Sequence, residues 1–262
     1  MLRGKQTWWF ESRPVIIGTG TVVGPDEGAG PLAADFDLVH AELDMNQKSW
    51  EKAERLLLEQ ASDFAIKNAG IRKEQVQFYV GGDLLNQLIS NSFTARDLGL
   101  PYIGVFGACS TSMLSLALAA QLVDSGAAEY AMAGTCSHNC TAEKQFRYPT
   151  EYGSQKPPTA QYTVTGAGAA VVAASGNGPV ITCATIGKIV DLGISDPFNM
   201  GAAMAPAAVD TIQTHLNDTG RMPADYDMIV TGDLASVGHR IAVDLFARDG
   251  VPMQDTVFSD CG

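Results

Sequence analysis

The sequence predicts an α/β fold of two related halves in a layered α-β-α arrangement. First, a β-branched and aromatic run at 102–106 passes through a small-residue turn, 107–112, into an apolar, helix-like run at 113–123. Second, residues 68–84 align without a gap with residues 218–234, each copy ending in a strand and a Gly-Asp-Leu turn. Third, similar first strands are expected at 14–16 and 179–181. Strands and helices that alternate in two copies indicate a layered α/β protein.

The two halves are predicted to span residues 1–175 and 176–262, with the break at Ser175-Gly176-Asn177-Gly178. The first half carries the turn around Cys109. The second half is expected to be incomplete, because no sequence after its repeat matches the strand, turn and helix around Cys109.

The other elements of the first half follow from local patterns. A core strand is expected within 14–23, and a long amphipathic helix at 50–69 that Gly70 ends. A short strand is expected at 76–80, a second helix ending near Leu98, and a strand at 129–134. Residues 143–158 are predicted to form a long loop. The Gly-rich run 166–172 opens an apolar strand, and it lacks the later glycine and the helix of a dinucleotide-binding fingerprint.

Composition excludes several classes of partner. The 262 residues carry a formal net charge of −12, which argues against nucleic acid and against a bare anionic membrane surface. The five cysteines are odd in number and irregularly spaced, so we expect reduced thiols in a cytosolic compartment. We expect no metal site, no cofactor, no signal peptide and no membrane-spanning helix.

Cys109 is the candidate reactive residue. A cysteine at the start of a helix lies beside free backbone N–H groups and the positive end of the helix dipole. Such a position lowers the pKa of a thiol and favours bound anions. The alternative interpretation is a small cysteine packed where a strand meets a helix. The spacing leaves both interpretations open.

Several motifs resemble one family. They include the turn 107–112, the polar cluster Ser137-His138-Asn139, and the segments 4–8, 82–87, 145–153 and 204–208. Together they look like the stage V sporulation protein AD family of endospore-forming bacteria, and the two-half arrangement resembles the thiolase-like fold. The motifs cover nearly all of the chain. Members of that family are longer, which implies that this chain lacks the C-terminal part of its second half.

The resemblance implies a non-catalytic protein that binds dipicolinic acid (pyridine-2,6-dicarboxylate) or its calcium chelate. It implies a role in moving dipicolinate into and out of the spore during sporulation and germination. The expected location is the cytoplasmic face of the inner membrane of the forespore or spore, as a peripheral protein. The expected partners are the membrane-embedded stage V sporulation A proteins, and a homodimer is left open.

A binding site for a planar dianion needs fixed N–H donors, a cation and a flat wall. The expected ligand-binding residues are Cys109, Ser110, His138, Asn139, Arg147 and Asp83. The planar guanidinium of Arg147 suits a carboxylate, and the aromatic residues at 146, 148 and 152 are candidates either for the wall or for a dimer interface. Asp83 has two interpretations, as a contact for a cation or as the cap of a helix that begins near Leu85.

The alternative function is a Cys-dependent acyltransferase or condensing enzyme that acts through a Cys109 thioester. Condensing enzymes of this fold place a histidine at the end of a second-half strand. The matching strand end here is 231–235, with Gly232 about where that histidine would lie, which implies that catalysis has been lost. His138 is the candidate base, with a polar structural role as the alternative.

Three further histidines are weaker candidates for the base. His215 is expected on a solvated helix face, and His239 follows too late after the strand end. His40 precedes the first long helix and has no evident partner in the sequence.

Overall fold

The computed structural model describes residues 1–146, 159, 161–196, 198–251, 253 and 258–260. They separate into two compact units. The Cys109 unit comprises the described part of residues 10–153 and 163–182, and the second unit that of residues 1–9, 154–162 and 183–262. The units are defined by packing and the predicted halves by sequence repetition, so the boundary at residue 175 stays a prediction.

The strands, in chain order, are β1 (Leu2–Arg3), β2 (Thr7–Trp9), β3 (Val15–Val23), β4 (Leu38–Val39), β5 (Phe78–Asp83), β6 (Tyr102–Gly104), β7 (Tyr130–Ser137), β8 (Gly166–Ala173), β9 (Cys183–Thr185), β10 (Ile229–Thr231) and β11 (Phe258–Asp260). The helices are α1 (Pro25–Gly28), α2 (Trp50–Asn68), α3 (Ile89–Leu98), α4 (Thr111–Asp124), α5 (Asn139–Phe146), α6 (Met200–Thr219) and α7 (Ala235–Arg248). Short 3-10 turns lie at 33–35, 73–75, 108–110 and 223–225.

The Cys109 unit contains a six-stranded mixed sheet in the order β4-β3-β8-β7-β5-β6. Strand β5 pairs in parallel with both β6 and β7, whereas β8 runs antiparallel to β3 and β7. Asp83, the last residue of β5, is opposite Cys136 near the end of β7. Because parallel strands end at the same edge of a sheet, the segments that follow β5, β6 and β7 leave from one edge.

Helix α2 packs closely on β3, because both surfaces are made of small residues. The helix contributes Ala53, Ala61 and Ala65, all fully buried. A Cβ atom on Gly20 would lie 2.0 Å from the carbonyl oxygen of Ala61. Glycine in β3 therefore sets the distance at which α2 lies on the sheet.

Helices cover both faces of this sheet. A Cβ atom on Gly81 would point at Asn91 of α3, whereas one on Gly82 would point at Thr111 of α4. Successive residues of a strand face opposite sides, so α3 and α4 lie on opposite faces. Helix α2 shares the face of α3, since both pack around Tyr79 in one buried cluster. The α-β-α layering predicted from the sequence is present in this unit.

The second unit has a three-stranded sheet, β1-β2-β9, and a parallel pair, β10-β11. Helices α6 and α7 pack together through Gly201 and Gly238. The predicted repeat is visible in its local elements. Gly70 and Gly220 follow α2 and α6 with φ of +68° and +69°, and the 3-10 turns 73–75 and 223–225 come next. Each copy then enters a strand, β5 or β10.

Three elements differ from the sequence prediction. Helix α3 begins at Ile89 rather than near Leu85, because Leu88 adopts a left-handed conformation that a helix cannot include. Residues 143–146 belong to α5 and not to a loop, and the rest of the predicted loop is outside the described residues except Thr159. The strand expected at 179–181 is reduced to an isolated bridge between Val180 and Val15, and β9 forms separately at 183–185, where it pairs with β2.

Candidate functional site

Cys109 lies at the N-terminus of α4, as the sequence predicts, and it is exposed. It sits in a 3-10 turn held by two hydrogen bonds. The Ser110 hydroxyl donates to the carbonyl of Gly107 (2.8 Å), and the Gly107 amide donates to the Thr111 hydroxyl (3.1 Å). Ala108 adopts φ +47°, which is unfavourable for a residue with a Cβ atom. The Ser110 side chain does not cap α4, and the amide of Thr111, the first residue of this helix, donates to the carbonyl of Ala108.

Asp83 caps helix α3. Its carboxylate accepts the backbone amides of Ser90 (2.8 Å) and Asn91 (2.9 Å) and the side-chain amide of Asn91 (2.7 Å). The Asn91 side-chain oxygen in turn accepts the hydroxyl of buried Tyr79. Asp83 is 2% exposed. Of the two interpretations of Asp83, the helix cap agrees with these hydrogen bonds. The helix begins four residues later than expected.

Asp83 also belongs to a buried cluster with Glu54 and Cys136. The Cys136 sulfur lies 3.6 Å from Glu54 Oε1 and 3.5 Å from Asp83 Oδ1. The Thr141 hydroxyl donates to Glu54 Oε2 (2.8 Å). Burial raises the pKa of Glu54 to about 7 and also raises the pKa of Asp83, which the amide donors of Asn91 and Ser90 oppose. Burial raises the pKa of the Cys136 thiol as well.

His138 is fully buried next to this cluster. Its Nε2 atom contacts the carbonyl oxygen of Leu43 (2.9 Å), and its Nδ1 atom accepts the amide of Cys140 (3.1 Å). Nε2 therefore carries the proton, and the ring is neutral. The ring also packs on Trp50 of α2, with centroids 5.4 Å apart. Because both nitrogens are engaged, His138 would have to give up one of these bonds to bind an anion or to accept a proton.

Asn139 begins α5 and is held by the segment before β8. Its backbone amide donates to the Thr165 hydroxyl (3.1 Å), and its side-chain amide donates to the carbonyl of Thr163 (3.3 Å). Arg147 lies outside the described residues, as do Tyr148 and Tyr152, so their expected roles stay predictions.

A cleft of about 370 Å³ opens above the Glu54–Asp83 floor. Its walls come from α2, α5, the segment after β5 and the start of α3. They are lined by Glu51, Glu54, Asp83, Leu85, Gln87, Ile89, Ser90, Thr141, Lys144 and Gln145. At the rim, Lys144 donates to Glu51 (2.7 Å), and Gln87 donates to Gln145 (3.0 Å). The hydrogen bond from Lys144 lowers the pKa of Glu51. The cleft thus contains three carboxyl groups and one lysine among its described residues.

Four of the six expected site residues fall into two groups. Asp83 and His138 lie on the α2 side of the sheet, where they contact α3 and α2. Cys109 and Ser110 lie at the start of α4, on the other face. All of them leave the same sheet edge, but the sheet separates the two groups of side chains.

Glu54 and Cys136 were not expected at the site. Their signals in the sequence are an acidic residue on the apolar face of a long helix and a cysteine at a strand end beside Asp83. The pairing of β5 with β7 brings Cys136 opposite Asp83, and the close packing of α2 brings Glu54 over both.

In the second unit, β10 ends at Thr231 and Gly232 follows directly. His239 lies on α7 and stacks on Phe258, with centroids 4.6 Å apart. The expectation of a solvated His215 is wrong. Its ring is half-buried and bonds the hydroxyls of Thr185 (2.8 Å) and Tyr226 (2.6 Å).

In the Cys109 unit, His40 has a partner after all, because its Nε2 atom lies 2.7 Å from Gln60 Oε1.

Comparison with known proteins gives a consistent result. A family model described as stage V sporulation protein AD matches residues 4–262. Stage V sporulation protein AD of Bacillus subtilis (strain 168) is 51% identical over 261 residues, which span all of this chain and 77% of that protein.

Solved structures resemble the chain in fold at low sequence identity. Cerulenin-bound OleA of Xanthomonas campestris has a TM-score of 0.67 at 14% identity, over 95% of this chain and 82% of that one. The 3-oxoacyl-(acyl carrier protein) synthase III FabH of Xanthomonas oryzae pv. oryzae has a TM-score of 0.63 at 15% identity, over 96% and 87%. The priming β-ketosynthase of the R1128 polyketide pathway has a TM-score of 0.57 at 18% identity, over 98% and 83%. These neighbours confirm the predicted thiolase-like fold.

Among the described residues, no helix is both long enough and apolar enough to cross a membrane.

Proposed function

This chain belongs to the stage V sporulation protein AD family, a family of sporulation proteins, and from that membership we propose that it binds dipicolinate without catalysis. In this proposal the protein serves the transport of dipicolinate into and out of the spore. The observation that carries the proposal is the 51% identity to the Bacillus subtilis protein across the whole chain.

The N-terminus of α4 supports a site for a carboxylate ligand. Cys109 and Ser110 are exposed there, and the Ser110 hydroxyl is turned back to Gly107 instead of capping the helix. The positive end of the α4 dipole favours a bound anion. Arg147 is the cation expected to complete this site, on the basis of sequence alone.

The cleft on the α2 side is a poor site for the free dianion. Glu51, Glu54 and Asp83 line it, against Lys144 as the one cationic side chain among its described residues. Like charges at close range disfavour a dicarboxylate there. The predicted contribution of Asp83 to ligand binding therefore requires a cation, such as the calcium of the chelate.

Two observations support the absence of catalysis. Both ring nitrogens of His138 are engaged inside the protein. Gly232 follows β10, about where condensing enzymes of this fold are expected to have a histidine. A thiol needs a base and oxyanion donors to act as a nucleophile, and His138 is not free to be that base.

Calorimetric titration with dipicolinate, with and without calcium, tests the proposal. We expect saturable binding to the unmodified chain. Cys109→Asp puts a negative charge at the N-terminus of α4, where it stabilises the helix but repels the ligand, so we expect at least about tenfold weaker binding. Ser125→Asp is the matched control, because it adds the same charge at the exposed C-terminal end of the same helix. Absence of saturable binding, or equal weakening by both substitutions, would refute the proposal.

The second candidate function is acyl transfer through a Cys109 thioester. It is favoured by the exposed thiol at the start of α4 and by the unfavourable φ of Ala108, since strained backbone is often found at reactive sites. Incubation with acyl-CoA and mass spectrometry distinguishes the two functions. An acyl adduct that is lost in Cys109→Ala supports the enzyme, and its absence supports the binding protein.

We further propose that the protein acts as a homodimer at the cytoplasmic face of the inner membrane, with the membrane-embedded stage V sporulation A proteins as partners. Support for a dimer comes from β6, the edge strand of the sheet, because Ile103 in this strand and Phe106 just after it are exposed. Light scattering of the unmodified chain and of Ile103→Lys tests the dimer. A monomeric mass for both proteins would refute it.

A further inference from the structure

We infer that Glu54, Asp83 and Cys136 form a binding site for a thiophilic divalent cation such as Zn²⁺. The three residues come from α2, β5 and β7, so the fold and not a local sequence motif brings them together. All three are at most 3% exposed. One potential ligand atom from each lies within 4.8 Å of the other two.

The distances suit a tetrahedral site. Zinc binds thiolate sulfur at about 2.3 Å and carboxylate oxygen at about 2.0–2.2 Å, which makes the S···O edge of a tetrahedron about 3.5 Å. The Cys136 sulfur lies 3.5 Å from Asp83 Oδ1 and 3.6 Å from Glu54 Oε1. Both sulfur-to-oxygen distances therefore match the edges of a tetrahedral site for one ion.

The two carboxyl groups also keep acceptor capacity for a cation. No lysine, arginine or histidine of the described chain forms an ion pair with Glu54 or Asp83. Buried carboxylates are otherwise paired, protonated or bound to a metal. Asp83 accepts three N–H groups, and a carboxylate offers about four acceptor sites, so one site remains for a cation.

The surroundings meet the other requirements of a metal site. Asp83 is oriented by Ser90 and Asn91, and Glu54 is oriented by Thr141, so outer hydrogen bonds fix two of the three ligands. The cleft of about 370 Å³ is lined by Glu54 and Asp83, so an ion can reach these two ligands from it, and it leaves room for a water as the fourth ligand. The sulfur favours Zn²⁺ over Ca²⁺ or Mg²⁺, which take oxygen ligands.

Binding requires the thiolate form of Cys136. The metal–sulfur bond replaces the S–H bond, and the thiol proton passes to solvent by way of Glu54, which lies 3.6 Å from the sulfur and lines the cleft. Glu54 binds as the carboxylate and releases its proton as well if it carries one. Metal binding is thus accompanied by proton release.

The test uses the full chain after treatment with a chelator, with Co²⁺ as the spectroscopic probe and Zn²⁺ as the competitor. We expect one Co²⁺ per chain, a thiolate-to-cobalt charge-transfer band in the near ultraviolet, and loss of that band when Zn²⁺ is added. Cys136→Ser should abolish the band, and Glu54→Gln should weaken binding at least about tenfold. The matched control is Cys140→Ser, a partly buried cysteine on α5 that is outside the cluster and should leave the band unchanged.

Circular dichroism of each variant checks that the fold is kept. The inference is overturned if the unmodified chain gives no charge-transfer band, in which case the cluster holds a proton only. It is also overturned if the band survives Cys136→Ser or disappears in Cys140→Ser. None of these outcomes depends on dipicolinate binding, so the inference and the proposed function are tested separately.

Discussion

Substituting Asp83 measures how strongly the end of β5 organises the helices on its face of the sheet. Asp83→Ala removes the acceptors of two backbone amides and of the side-chain amide of Asn91, all in a buried environment. Loss of a helix cap costs about 0.5–2 kcal/mol, and an unsatisfied buried donor costs about 1–3 kcal/mol. We therefore expect a loss of about 3 kcal/mol in the free energy of unfolding. For a protein of this size that corresponds to a decrease in Tm of about 6–12 °C.

Urea unfolding and thermal melts in the presence of a chelator measure this effect without a contribution from bound cations. Asp83→Asn keeps one acceptor oxygen and should lose about half as much. Asn91→Ala should cost less in the Asp83→Ala background than alone, because the two side chains share one network. The control is Asp26→Ala, an exposed acid on α1, with an expected change within about 0.5 kcal/mol. A loss below about 1 kcal/mol for Asp83→Ala would show that the cap contributes little.

Three further predictions concern packing, thiols and pH. Gly20→Ala should destabilise the protein by about 1–3 kcal/mol in urea unfolding, because the new Cβ atom would lie 2.0 Å from a backbone oxygen of α2. The control is Gly168→Ala, whose Cβ atom would meet no atom within 4 Å, and it should change stability little. Cys109 should react with a thiol reagent in the native state and Cys136 only on unfolding, as peptide mass mapping would show, and equal rates would contradict their burial. Burial lowers the pKa of His215. The stability that its neutral form provides is therefore complete above about pH 6.5 and is lost as the pH falls below that value. An NMR titration should give an apparent pKa for His215 below the ordinary value near 6.5, and an apparent pKa above it would contradict this account.

Several features could be predicted because they depend on local sequence. Helix α2 follows from its apolar periodicity, and the turn before α4 follows from small residues between a strand and an apolar run. The repeat at 68–84 and 218–234 was readable because both copies need the same left-handed glycine at the same place. The role of Asp83 as a cap was also accessible, since an acid between a strand and a helix often caps the helix.

Other features could not be predicted, because they depend on contacts between distant segments. The start of α3 is fixed by the left-handed Leu88, which no residue preference indicates. The formation of β9 at 183–185 depends on pairing with β2, which is far away in the sequence. His215 was expected in solvent because its helix alone does not reveal the hydroxyls of Thr185 and Tyr226.

By itself the sequence determined the family, the thiolase-like fold and the position of Cys109 at a helix start, since periodicity and turn chemistry are encoded over short stretches. Only the tertiary structure decided that Asp83 and Cys109 lie at the same edge of the sheet but on its opposite faces. It alone brought Glu54, Asp83 and Cys136 together, because strand register and helix packing join residues that are 29 and 53 positions apart along the chain. Both decisions follow from the alternation of side chains along a strand, which is fixed once the register of the sheet is set.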